Sequence, residues 1–208
     1  MTITNYSNLQ STVADFLNRS DLTSVIPTFI QLAESQINRD LRHWKMETRA
    51  TATIDAGDQY SQVPSDWIAT IRMSIQGAGT SVVDLISRAA MADKREGAED
   101  MSGRPEFYCH ADGQFNFYPT PDADYTAELL YFAKVPDLAS NSTNWLIQDA
   151  PDVYLYGTLI HSAPYLQEDS RIAVWAQMYA AAVKMLNDTS DSARHSGSGL
   201  TLKVRGLG

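Results

Sequence analysis

The run Pro151–Leu186, PDVYLYGTLIHSAPYLQEDSRIAVWAQMYAAAVKML, reads as two helices joined by the polar turn Gln167-Glu168-Asp169-Ser170. Pro151 suits a first helical position, where its missing N–H has no intrahelical partner to lose. Asp149 just ahead is placed to cap the free amides of the first turn. Leu155, Leu159, Ala163 and Leu166 recur every three or four residues and line up as an apolar stripe, with Tyr154, Thr158, His161 and Tyr165 on another side. In the second helix Ile172, Trp175, Ala176, Tyr179 and Val183 share one face, and Val174, Met178, Ala181 and Met185 share another. A helix apolar on two faces needs two surfaces to bury them. The rest of one chain can supply both, or a neighbouring subunit can supply the second.

Upstream the texture is again helical. Ser7 is the expected cap of a first helix with Leu9, Val13, Phe16 and Leu17 on its stripe, closed at Asn18-Arg19-Ser20-Asp21. A second helix starts near Ile26, with Pro27 in its first turn. It turns Phe29, Leu32, Ala33, Ile37, Leu41 and Trp44 one way, and Glu34, Asn38, Asp40 and Arg42 to water.

From Met46 the pattern alternates as half-buried strands do. METRATATI and Gln59–Val63, around Ala56-Gly57-Asp58, are expected to pair as a hairpin. Ile68–Gln76 and Ser81–Ile86 follow as strands, then a short helix from Ser87 to Glu96. A second hairpin turns at Ala111-Asp112-Gly113, and Tyr125–Ala133 is the strongest strand pattern in the chain. Val135–Gln148 reads as a polar connection.

Helices, then strands, then helices make an α+β fold. The expected architecture is a helical bundle from residues 1–44 and 136–188, an inserted antiparallel β domain at 45–135, and an extended C-terminal arm at 189–208.

The chain has 208 residues, 44% of them hydrophobic, and a net charge of −9. Nucleic-acid binding rests on Lys and Arg displacing counterions, so this balance argues against a DNA-binding surface. From Thr189 onward Arg194, Lys203 and Arg205 stand against Asp191 alone, which makes the tail +2 and the remainder −11. In that tail Leu200-Thr201-Leu202-Lys203-Val204-Arg205 alternates like a strand without a sheet. It reads as a disordered end, or as an arm that adds a strand to a partner. The start MTITNYSNLQ lacks a basic, apolar leader, and no apolar run approaches a membrane span, so a soluble protein made in the cytoplasm is expected.

Catalytic patterns are hard to find. Cys109 is alone, and His43, His110, His161 and His195 show no metal-ligand spacing. The carboxylate pairs Glu99-Asp100, Asp122/Asp124 and Glu168-Asp169 fall in turns, away from the apolar pockets that separate the pKa values of an acid and a base. Gly77-Ala78-Gly79 sits between strands, so it opens no phosphate-binding helix. The aromatics from Phe107 to Phe132 suit one packed sheet face more simply than a stacking platform. No cofactor, metal or catalytic residue is expected.

A resemblance carries the reading further. Tyr6-Ser7-Asn8-Leu9, Phe16–Leu22, Ile26–Glu34, Ile37–Arg42 and Met46–Thr51 resemble, in order, the opening of tailed-bacteriophage head-to-tail adaptor proteins. The similarity continues through Val63–Trp67, Gly103-Arg104-Pro105, Tyr131–Pro136, Thr143–Leu146 and Asp152–Leu159, over about residues 6–187. It implies a structural protein of the virion neck, forming a homo-oligomeric ring typically of about twelve subunits. Such a ring docks beneath the portal protein and receives tail or nozzle proteins, while DNA passes its channel unbound. It also implies a C-terminal extension reaching into the portal; in this chain the candidate segment is Leu200, Leu202, Lys203, Val204 and Arg205 of the basic tail. Ring contacts are expected at Tyr154, His161, Tyr165, Trp175 and Met178. Competing expectations are a neck protein one ring further down, a carbohydrate-active accessory enzyme, and a generic interaction module.

Overall fold

The computed structural model of the chain describes residues 2–77, 79, 81–97, 101–166 and 170–195. The elements run α1 (Tyr6–Leu17), α2 (Ile26–Asp40), a 3-10 turn at Trp44–Met46, β1 (Glu47–Ile54), β2 (Tyr60–Gln62), β3 (Trp67–Ile75), β4 (Ser81–Val82), β5 (Asp84–Leu85) and α3 (Arg88–Glu96). They continue with β6 (Phe107–Ala111), β7 (Gln114–Tyr118), β8 (Tyr125–Ala133), α4 (Leu138–Asn141), α5 (Trp145–Asp149), α6 (Pro151–His161), α7 (Ala163–Leu166) and α8 (Ile172–His195). This is an α+β fold with helices at both ends and strands between them. Two compact units divide it, Met1–Trp44 with Val135–Gly208 and, between them in sequence, Lys45–Lys134.

In the helical unit α6 is the centre, packed by α1, α2 and α8. It buries Val153, Tyr154, Leu155, Thr158 and Leu159 around most of its circumference. Gly157 is what lets its neighbours close in. A Cβ there would stand 3.3 Å from the Tyr179 ring and 3.4 Å from the Ala33 methyl. Pro164, lacking an N–H and crowding the carbonyl four residues back, ends the straight run. The helix stops at His161, and α7 follows Ser162.

Four local expectations are corrected here. α1 is capped by Asn5, whose side chain accepts the Asn8 N–H at 2.9 Å, because the chain is already helical at Ser7. Asp149 is the last residue of α5, and Ala150 takes the cap position of α6. On α2 the buried stripe is Ile26, Phe29, Ile30, Ala33 and Ile37, which leaves Leu32 exposed and brings Glu34 inside. Glu34 lies within the arc of Ile30 and Ile37, and its Oε1 accepts the Leu138 N–H at 2.8 Å. The connection at 135–148 holds two short helices, capped by Asp137 and Asn144. Asn144 also donates to the Pro136 carbonyl and to the Tyr154 hydroxyl, each at 2.7 Å.

α8 continues through Thr189–His195, which the sequence reading assigned to a loose arm. Its polar residues have work to do in a helix. The backbone N–H of Arg42 donates to Asn187 Oδ1 at 2.9 Å, and that of Trp44 to Ser190 Oγ at 2.8 Å. Ser190 is fully buried. Thr189 and Ser192 hydroxyls donate back to the carbonyls one turn earlier. The remainder of that arm, including Leu200–Arg205, lies outside the described residues.

The second unit is a pair of sheets, ordered β1-β8-β3-β4 and β2-β7-β6-β5. Ile54, Met73, Ile75, Leu129 and Tyr131 of the first meet Tyr108, Phe115 and Phe117 of the second in one core. β1 and β2 do not form the expected hairpin. β1 runs antiparallel to β8 over its whole length, while β2 joins β7 in the other sheet. Pairing with the nine-residue β8 sets Ala50 opposite Leu129 and Ile54 opposite Tyr125 on the core side, and that burial outweighs the local turn. The expected strand Ser81–Ile86 is split at buried Val83, β4 pairing with β3 and β5 with β6. The β5–β6 pair is parallel, so the unit is mixed instead of purely antiparallel. The hairpin at Asp112-Gly113 is present, with both residues at positive φ as a two-residue connection requires.

Candidate functional site

The helical unit presents the surface that needs explaining, and α8 builds it. One face of α8 is core, with Trp175, Tyr179, Val183 and Ser190 buried. The Arg171 guanidinium lies 5.0 Å from the Trp175 ring, and the Tyr179 hydroxyl donates to Asp40 Oδ2 at 3.0 Å. Burial first, then the Asp40 charge, drives the Tyr179 phenol well above its ordinary pKa, so it stays a neutral donor.

The other face carries Val174, Met178, Ala181 and Met185. The three large side chains are 51, 47 and 70% exposed. Together with Asp152 and Tyr156 of α6 they line an open groove of about 540 Å³. A single exposed methionine means nothing, but a continuous apolar stripe along a helix is unusual on a surface left to water.

The five expected contact residues therefore separate. Tyr154 is fully buried, bonded to Asn144, and its phenol is pushed far above the ordinary range by desolvation. Trp175 is likewise core. Neither has surface to give a neighbour; both hold the unit together. His161 is half-buried, its Nε2 3.0 Å from Gln36 Oε1. Burial, then the Arg39 charge, lowers its pKa, so the ring is neutral near pH 7. Tyr165 is exposed, with its ring edge-on to Phe29 at 5.2 Å. Met178 lies in the middle of the stripe. Val174 and Met185 were not singled out as contacts, although the spacing that puts them on the Met178 face was already visible.

Among the described residues no group of three or more His, Cys, Asp or Glu is arranged to hold a metal ion, and no helix is long and apolar enough to cross a membrane. Cys109 is buried, with Met91 and Tyr118, beneath α3. His110 stacks on Trp67 at 4.7 Å in the β unit, and His43 stacks on Trp145 at 5.1 Å in the helical unit. Each is an aromatic packing partner.

The family model described as SU10 adaptor protein matches residues 4–201. The chain belongs to that family. It is a phage adaptor protein, as the ordered motifs from Tyr6 to Leu159 led us to expect, and the match extends on both sides of the stretch over which they run. No curated protein matches the adaptor. Membership covers both units, so the β insertion is part of the adaptor and no foreign addition to it.

Proposed function

We propose that the adaptor is a structural protein of the virion neck that forms a ring beneath the portal protein, joins it to tail or nozzle proteins and lines the DNA exit channel. The observation that carries this is the uncovered apolar stripe on α8, on a helix that already buries Trp175, Tyr179 and Val183 on its other face. A protein that works only as an isolated subunit gains nothing from exposing Val174, Met178 and Met185 in a row. Ring contacts in this reading fall to Met178 and its stripe, with Tyr165 and His161 at the adjoining end of the helical hairpin, while Tyr154 and Trp175 keep the subunit rigid. The net charge of −9 suits a channel lining, because an acidic wall repels phosphate and lets DNA slide. The +2 tail, through Leu200–Arg205, is the segment we assign to the portal.

Copurification decides the matter. Full-length adaptor mixed with portal assemblies should sediment with them, and an image of the complex averaged along its axis should show a ring at the portal's outer end. An adaptor ending at His195 should keep its fold and lose portal binding. Binding to tail protein but not to portal would place it one ring further down.

A further inference from the structure

Val174, Met178, Ala181 and Met185 are spaced four, three and four residues, the spacing of the seam in a two-stranded coiled coil. We propose that in the free protein this stripe is closed by the same stripe of a second copy, with the two α8 helices antiparallel about a two-fold axis.

The spacing chooses that occupant first, because it reads the same in both directions. Setting Met178 beside the second copy's Ala181 also sets Val174 beside the second copy's Met185. Every layer then places a long thioether against a smaller side chain, and no two methionines compete for one space. Charge agrees with spacing. The chain carries −9, yet within α8 Lys184 and Arg194 balance Asp188 and Asp191, and of the groove's lining residues Asp152 alone is charged. Two acidic molecules approach with least repulsion along a helix whose own charges cancel. The footprint sets the strength. From Val174 to Met185 the helix rises roughly 17 Å, a contact at the small end of the interface range. The pair is accordingly weak and reversible.

A two-fold contact uses one patch on both copies and leaves none for a third. The pair therefore competes with any ring built on the same stripe and keeps free adaptor from growing into rings away from the portal. That consequence rests on the adaptor reading; the pair itself rests on α8 alone.

Sedimentation velocity of the full chain over a wide concentration series tests it. A monomer–dimer equilibrium is expected. Met178→Asp should weaken it by roughly 30-fold or more, the scale of losing an interface hot spot, with unchanged far-UV circular dichroism. Ala181→Arg serves as the second variant if the first misfolds. Oxidising a mixture of Met178→Cys and Ala181→Cys proteins should give the mixed disulfide dimer, since buried Cys109 is out of reach. A monomer at every concentration, free rings, or a dimer indifferent to both substitutions overturns the proposal. So does a dimer that forms without the mixed crosslink. Portal copurification surviving any of those results leaves the adaptor reading standing and removes only the pair.

Discussion

Glu34 shows what a single side chain decides in this protein. It is a carboxylate set among Ile30 and Ile37, and it holds the Leu138 N–H at the start of α4. Burial raises its pKa above the ordinary carboxylate range; the Leu138 amide pulls the other way and Asp137 adds a little more upward push. A raised folded-state value means that the folded protein binds the proton more tightly than the unfolded chain. The stability gained is complete below the ordinary carboxylate value and is lost as pH rises through the folded one. Glu34→Gln keeps an acceptor for Leu138 without the charge. Thermal melts of the variant should therefore be flatter across weakly acid to neutral pH and no less stable at pH 7. Glu34→Ala leaves the amide bare and should cost about 1–3 kcal/mol. Gly157 offers a second test. Alanine improves helix propensity by about 1 kcal/mol, but its methyl meets Ala33 and a Tyr179 ring tethered to Asp40. Overpacking of about 1–3 kcal/mol should win, so chemical denaturation should show a net loss. Sequence periodicity could not foresee Glu34. It sorts polar from apolar, and an acid kept inside to satisfy one distant amide looks the same as one facing water.

At the scale of elements, α8 separates an exposed apolar face from a buried one. Trp175→Ala opens a cavity in the core and should cost about 3–5 kcal/mol, enough to show as a lost or much lowered melting transition. Met185→Glu, on the opposite face, should melt within a degree or two of the parent. If both melt alike, the assignment of the two faces is wrong. The end of α8 gives a sharper contrast. A chain ending at Asp188 lacks Ser190 and strips the Trp44 amide of its acceptor, and should lose about 1–3 kcal/mol. A chain ending at His195 keeps Ser190 and with it that acceptor. The two apolar faces of α8 were legible because helical spacing is local. Its last two turns were not, since Ser, Thr and Asp in a row read as linker until Arg42 and Trp44 are known to need them. The β1–β2 hairpin failed for the same reason. Ala56-Gly57-Asp58 is a sound turn, but the strand that completes β1 lies some seventy residues on.

For the whole molecule, charge and topology matter more than any contact. With a net charge of −9, the adaptor should not retard duplex DNA in a gel even at low salt, where counterion release is most favourable. Retardation would reveal a basic patch and contradict a lining that lets DNA slip by. The α+β order was readable from the change of period at Met46 and again at Pro136, because burial on one face leaves a different rhythm in each kind of element. The exposed apolar surface was only half readable. Sequence spacing grouped Met178 with Val174 and Met185, but whether that face or the Trp175 face was filled from within depends on where α6 settles.

The β unit is one unbroken length of chain, whereas the helical unit is cut in two by it. On the ribosome this imposes a sequence of events. Both sheets can close once residue 134 has cleared the exit tunnel, while α1 and α2 still hold bare apolar sides open for partners not yet translated. Only when Asn187 and Ser190 arrive are the amides of Arg42 and Trp44 satisfied. The earliest-made part of the adaptor is thus the last to be finished, and a stalled or truncated nascent chain exposes its oldest surface to aggregation.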